Sequence, residues 1–470
     1  MEVTNPAAPG GPLELVGLDQ PVPLVSGELR RYVNLDYAAS TPVLRRVKEA
    51  VDALIPWYSS VHRGAGYKSQ ISTAAYEGSR TAVKSFFQAA PEDVLIFTRN
   101  TTDSVNVLAS SLADGASVVA FASEHHANLL PWQQGRLKVS YLPAPRSATE
   151  ALEHLSSHLG QAGADLVAVT GASNVTGEIW PVAELASLAH AHGARLLLDA
   201  AQLAPHLPIN MVELGVDYLV ASGHKLYAPF GAGVLIGKPD WLLQAAPFIR
   251  GGGAVNFVTV DEVLWSALPD RQEAGSPNVI GAVAMEAAVL ALAEFGMARL
   301  GADEIRLGEY ARRQLAALPG VEVYGLWGQA ATRIGVVPLN VAGYDHSQVA
   351  AILSAEFGIG VRHGCFCAHP LMLELLHTEP SAAAAIRQEF RVGGRPRVPG
   401  AVRVSLGIGT TRADIDYLLR SLRQIIEEGP HWTYAVSPES GEYLPQPDPR
   451  PRPDLPMLLP RLSLSQAESS

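Results

Sequence analysis

The feature that most constrains this chain is a series of short, largely apolar runs separated by stretches with helical spacing. The runs are Val94–Thr98, Ser117–Ala122, Lys138–Leu142, Asp165–Thr170, Arg195–Asp199, Asp217–Ala221 and Gly233–Gly237. Helical periodicity falls over 43–56, 70–88, 102–112, 147–160 and 181–193. A strand that is apolar at nearly every position has both faces covered, so the pattern predicts an α/β fold: a mostly parallel sheet flanked by helices. Such sheets hold their ligands at the carboxyl ends of the strands.

The length of 470 residues suits a large unit plus a smaller one. Residues 1–31 are rich in Pro and Gly and read as a surface arm. Residues 32–290 form the large domain, and 291–433 the smaller, with helices around 281–317 and 346–357 and strands near 333–340 and 401–406. Residues 434–470 are rich in proline and read as an extended, partly disordered tail.

A net charge of −11 disfavours nucleic-acid binding. The N-terminal residues lack the basic and apolar regions of a signal peptide, and the most apolar helical stretch, near 280–298, carries Glu286 and Glu294. Two cysteines only two positions apart, Cys365 and Cys367, supply no disulfide framework. The expectation is a soluble cytoplasmic protein with no membrane partner. His190 and His192, two apart, point in different directions on a helix, so no metal is expected. Gly251–Gly253 reads as a flexible loop beside the functional site.

Two strand ends carry chemistry. One run closes on Asp199-Ala-Ala-Gln202 and the next on Ser222-Gly-His-Lys225, and parallel strands would bring both to one edge. A carboxylate there can keep a pyridine nitrogen protonated while a lysine condenses with the ring aldehyde, which is what pyridoxal phosphate needs. Taken alone, Lys225 reads as a solvated lysine, Asp199 as a helix cap and His125 as a surface histidine.

In this order and spacing, Leu35-Asp-Tyr-Ala-Ala-Ser-Thr-Pro42, Val61-His-Arg-Gly64, Phe97-Thr-Arg-Asn-Thr-Thr-Asp103, Glu124-His-His-Ala-Asn128, Ser173-Asn-Val-Thr-Gly177, Asp199-Ala-Ala-Gln202, Ser222-Gly-His-Lys225 and Glu273-Ala-Gly-Ser-Pro-Asn278 resemble the class V aminotransferase family of fold-type I pyridoxal-phosphate enzymes. Within it the chain resembles the cysteine desulfurases, nearest to the SUF type, with a Cys-Phe-Cys feature similar to molybdenum cofactor sulfurases. The resemblance implies a seven-stranded sheet, a smaller C-terminal α/β domain and pyridoxal 5'-phosphate as cofactor. It implies that Thr101 and Thr102 receive the phosphate at a helix start, aided by Ser222 and His224. His125 would stack on the ring, Asn174 and Gln202 would contact its oxygen, and Asp199 would hold its nitrogen. Lys225 would carry the resting cofactor and shuttle a proton. Ser276 would reach the phosphate of a partner subunit, implying a homodimer.

Cys367 aligns with the desulfurase nucleophile, and Arg403 with the arginine that clamps the substrate carboxylate, with Ala38 and Arg362 beside the substrate. The substrate implied is L-cysteine, with a possible protein sulfur acceptor. Cys365 reads more readily as a small buried hydrophobe than as a second thiol, and a rim salt bridge is the other reading of Arg403. The stretch from Leu373 to Pro399 looks inserted relative to the SUF type. Alternatives are another reaction of the family, namely a C–S lyase, aminotransferase or epimerase, and a catalytically silent scaffold.

Overall fold

A computed structural model of the chain describes residues 5–451. The seven apolar runs are strands: β1 Val94–Thr98, β2 Ser117–Phe121, β3 Lys138–Leu142, β4 Leu166–Thr170, β5 Arg195–Asp199, β6 Tyr218–Ser222 and β7 Gly233–Gly237. They form one sheet in the order β1-β7-β6-β5-β4-β2-β3. All neighbours pair in parallel except β7, which runs antiparallel to both β6 and β1.

The absence of polar alternation has a direct cause. Successive residues of the central strands enter two different cores: Val167, Leu196, Leu198 and Leu219 on one face, and Leu166, Leu197, Tyr218 and Val220 on the other. Each face is buried, so every position must be apolar. Because β5 and β6 are parallel neighbours, Asp199 and Ser222 emerge at the same edge. Helix α1, Thr101–Ser111, begins at that edge too, directly after β1.

Helix α2, Val279–Phe295, is buried along most of its length, and α3, Met297–Ala316, follows it after an 80° bend at Gly296. No single helix among the described residues is long and apolar enough to cross a membrane. Ala311 and Leu315 of α3 join a separate core beneath a second sheet. That sheet contains β8 Val321–Val323, β9 Val336–Val341, β10 Arg362–Gly364 and β11 Ala401–Ser405, all antiparallel in the order β8-β9-β11-β10. Leu35 accepts the Ser405 N–H at 2.7 Å, so the segment after residue 33 runs alongside the second sheet on its way to the first.

Both ends of the described chain are more embedded than their composition suggests. In the arm, Leu13 and Leu15 enter the main core, and Pro21–Pro23 pairs with Leu29–Arg31 as a hairpin. The tail forms a second hairpin, Tyr434–Val436 with Tyr443–Pro445. Glu356 anchors its approach, accepting the His431 N–H at 2.9 Å, the Trp432 N–H at 3.2 Å and the Tyr434 hydroxyl at 2.9 Å. Up to residue 451 of the stretch expected to be an extended, partly disordered tail, one carboxylate supplies partners that composition does not reveal. Residues 452–470 of that tail lie outside the described residues.

The stretch 373–399 contains α4, Pro380–Arg391, none of whose residues is buried.

Candidate active site

A cavity of about 270 Å³ opens where β5, β6 and the start of α1 meet the second sheet. It is lined by Ala38, Thr101, Thr102, His125, Asn174, Asp199, Gln202, Ser222, His224, Lys225, Arg362, Cys367 and Arg403, which are all the residues singled out from sequence except Ser276. Ser276 lies at a different cavity, with Arg63 and Glu273. Gly252 and Gly253 line that second cavity as well, so the glycine loop stands beside Ser276 and not beside Lys225.

One end of the site is built for an anion. Asn100 caps α1, its side chain accepting the Asp103 N–H at 3.0 Å. Ser222 at the end of β6 meets both the Thr101 N–H at 2.8 Å and the Thr101 hydroxyl at 2.7 Å, tying the helix start to the strand end. The dipole of α1 makes this end electropositive. Gly233 is required here, because a Cβ on it would stand 2.6 Å from the Asn100 Cα.

The middle of the site holds an acid and an amine with few hydrogen-bond partners among the described residues. Asp199 is 4% exposed; one carboxylate oxygen accepts the Ala201 N–H at 2.9 Å, and the other takes no hydrogen bond among the described residues. Burial pushes its pKa up, opposed by the Ala201 N–H and the Lys225 charge. Lys225 makes no hydrogen bond to the described residues, and burial lowers its pKa to about 8, with Asp199 opposing. Gln202 donates to the Ala38 carbonyl at 2.7 Å while its buried Oε1 has no partner among the described residues. His125 Nδ1 accepts the Ala127 N–H at 3.0 Å. A backbone amide only donates, so Nδ1 is bare and Nε2 carries the proton. Burial, with the Lys225 charge, brings the His125 pKa down to about 3, so the ring is neutral. His224 is likewise lowered, to about 4, by burial.

The far end faces the second sheet. Arg403 on β11 is 3% exposed, which removes the rim-salt-bridge reading. It donates to the Asn174 carbonyl at 2.9 Å and to Asp36 at 3.3 Å, lies 4.9 Å from the centre of the Phe366 ring, and leaves its buried Nε without a partner among the described residues. Burial lowers its pKa to about 10. Arg362 on β10 is directly opposite Arg403 in register and reaches the same cavity.

Cys367 is exposed in a tight turn in which Phe366 and Cys367 have φ of 53° and 54°. The turn is stitched to the first sheet: Asn174 donates to the Phe366 carbonyl and the His126 N–H to the Cys367 carbonyl, both at 2.8 Å. Cys365 is half-buried, packed against the apolar cluster that includes Phe366, Ala368 and Leu371, and its Sγ is 3.1 Å from His369 Nε2. Asp36, Phe366 and Asn100 were not singled out from sequence. Asp36 and Asn100 stood inside quoted motifs, whereas nothing in the sequence marked Phe366 as the ring beneath Arg403.

Residues 33–418 match the family described as "Aminotransferase class-V". A protein of Halalkalibacterium halodurans named probable cysteine desulfurase is 35% identical over 84% of this chain and 93% of its own length. A Klebsiella pneumoniae protein named cysteine desulfurase is 34% identical over 78% of this chain and 86% of its own. The solved apo structure of cysteine desulfurase from Thermococcus onnurineus NA1 aligns with a TM-score of 0.73 at 30% identity, covering 84% of this chain and 95% of that one. With the family match spanning most of its length and both sheets, the chain belongs to the class V aminotransferase family and is a pyridoxal-phosphate-dependent enzyme.

Proposed function

We propose that the chain is a cysteine desulfurase, which converts L-cysteine to L-alanine and retains the sulfur as a persulfide on Cys367. The observation that carries this reading is that Lys225, Asp199, Arg403 and Cys367 line one cavity. The names of the curated relatives support it.

The residues fit pyridoxal phosphate. Asp199 keeps one carboxylate oxygen without a hydrogen bond among the described residues, Gln202 Oε1 awaits a donor, and the start of α1 with Thr101, Thr102, Ser222 and His224 suits a phosphate. When bound, the cofactor draws electrons from the substrate α-carbon. The chain's own residues do the rest. Lys225, with a pKa of about 8, holds and returns a proton near neutral pH. Asp199 sustains positive charge beside its carboxylate, and the neutral His125 offers a flat face and one donor. Arg403 Nε and Arg362 receive the substrate carboxylate. Cys367 Sγ takes the sulfur as a nucleophile.

The reading extends to a homodimer, in which Ser276 and its cavity complete the phosphate site of the partner, to a protein sulfur acceptor, and to a reducing cytoplasmic setting suited to two free thiols. Purified protein given L-cysteine and a thiol reductant is expected to release alanine catalytically, and Cys367→Ser to lose that release. Sustained alanine release by Cys367→Ser would remove the thiol from the scheme, and pyruvate with ammonia in place of alanine would make the enzyme a C–S lyase.

A further inference from the structure

Beside Cys367, and outside the cavity lining, Cys365, His369 and His126 form a continuous chain of contacts. Cys365 Sγ is 3.1 Å from His369 Nε2, and His369 Nδ1 is 3.2 Å from His126 Nε2. The two imidazoles stack with centroids 5.0 Å apart and planes 13° from parallel.

The backbone fixes the direction of this chain. The His369 N–H also points at His126 Nε2, at 3.3 Å. A backbone amide only donates, so His126 Nε2 is a bare acceptor. His369 Nδ1, sharing that acceptor, must carry the proton it donates. His369 Nε2 is then the unprotonated nitrogen, and it faces the Cys365 thiol. Burial lowers the pKa of both histidines and raises that of Cys365, so the rest state is a neutral thiol against a neutral base. This is a nucleophile, a base and a group orienting the base. The His126 N–H meanwhile holds the Cys367 carbonyl at 2.8 Å, so one residue touches Cys367 through its backbone and His369, the partner of Cys365, through its ring.

We propose that Cys365 is a second sulfur carrier, activated by His369 and receiving the outer sulfur from Cys367. The proposal rests on the desulfurase reading for the origin of that sulfur. His369 Nε2 takes the proton of Cys365, and the resulting thiolate attacks the outer, protonated sulfur of the Cys367 persulfide. The bond between that sulfur and Cys367 Sγ breaks as the new bond to Cys365 Sγ forms. Cys367 leaves as a thiolate and takes a proton from water, and His369 gives its proton back to water. One persulfide is exchanged for another, so no oxidant or reductant is consumed. His126 is a positioning residue that keeps His369 in the receptive tautomer.

The test follows the sulfur. Holoenzyme is given one equivalent of L-cysteine without reductant, quenched by alkylation at successive times, and the peptide bearing both thiols is fragmented to locate the extra sulfur. The extra sulfur is expected on Cys367 first and on Cys365 later. In His369→Gln the transfer is expected to slow at least tenfold, and His126→Phe, which keeps the stacked ring without its acceptor, to slow it with a changed pH profile. Sulfur found on Cys367 alone at all times in the wild type would overturn the relay and leave the desulfurase reading standing. A Cys365–Cys367 disulfide with release of hydrosulfide would also overturn it, because it places the attack on the inner sulfur. Absence of extra sulfur on either thiol, with no alanine formed, would overturn both readings.

Discussion

Arg403 Nη1 donates to the main-chain carbonyl of Asn174 at 2.9 Å, and the Asn174 side chain donates to the carbonyl of Phe366 at 2.8 Å. Three segments distant in sequence are thereby held in one array: β11, the loop after β4 and the Cys367 turn. The arginine proposed to receive the substrate carboxylate is also a brace for the turn that carries Cys367.

Replacing Arg403 should therefore affect both binding and chemistry. Arg403→Lys keeps the charge but loses the planar fork. The loss of a charge-assisted bond is worth about 2–3 kcal/mol, or roughly 30- to 150-fold in kcat/KM. Steady-state kinetics with L-cysteine are expected to show a raised KM together with a lowered kcat. A change in KM alone would mean that the brace to Asn174 is unimportant.

Lys225 must lose its proton to combine with an aldehyde, and its pKa is about 8 with Asp199 holding it up. Cofactor uptake by the cofactor-free chain should thus accelerate as pH rises through about 8. Removing the carboxylate in Asp199→Asn withdraws the group that favours the charged amine, so the rise should move to lower pH. Visible absorbance recorded during loading measures both, and a rise at the same pH in the variant would show that Asp199 and Lys225 do not sense each other.

Gly233→Ala would place a methyl group 2.6 Å from the Asn100 Cα, against backbone that cannot yield. The strand or the helix start must shift, at a cost of about 1–3 kcal/mol. Denaturant melts should show that loss, and cofactor affinity should fall with it, since Asn100 caps the helix that opens onto the anion end of the site.

Glu356→Ala would free three donors near the tail at once. Cleavage by limited proteolysis is expected to begin between residues 431 and 445 in the variant and to spare that segment in the wild type. Equal resistance would show that the hairpin holds without its carboxylate.

The element pattern was legible because each strand is local and its burial is two-sided: a five-residue run such as Leu166–Thr170 displays its environment directly. What local pattern could not show was that β7 runs against its neighbours, since a strand covered on both faces reads alike in either direction. The site residues from Thr101 to Arg403 were recognisable from motifs at strand ends, and the cavity gathers all of them but Ser276, which stands at a separate cavity of the same chain. The tail and the arm escaped composition because their partners, Glu356 among them, lie far away in sequence.

By itself the sequence determined the layered α/β architecture and the residue types offered at the strand ends, because burial on both faces and strand polarity leave a local imprint. Only the tertiary structure decided which groups meet. Cys365 and His369 are four positions apart, yet His126, which sets the tautomer of His369, comes 243 positions earlier. Hydrogen-bond direction depends on the acceptor that folding brings within 3.3 Å, and no local pattern carries that information.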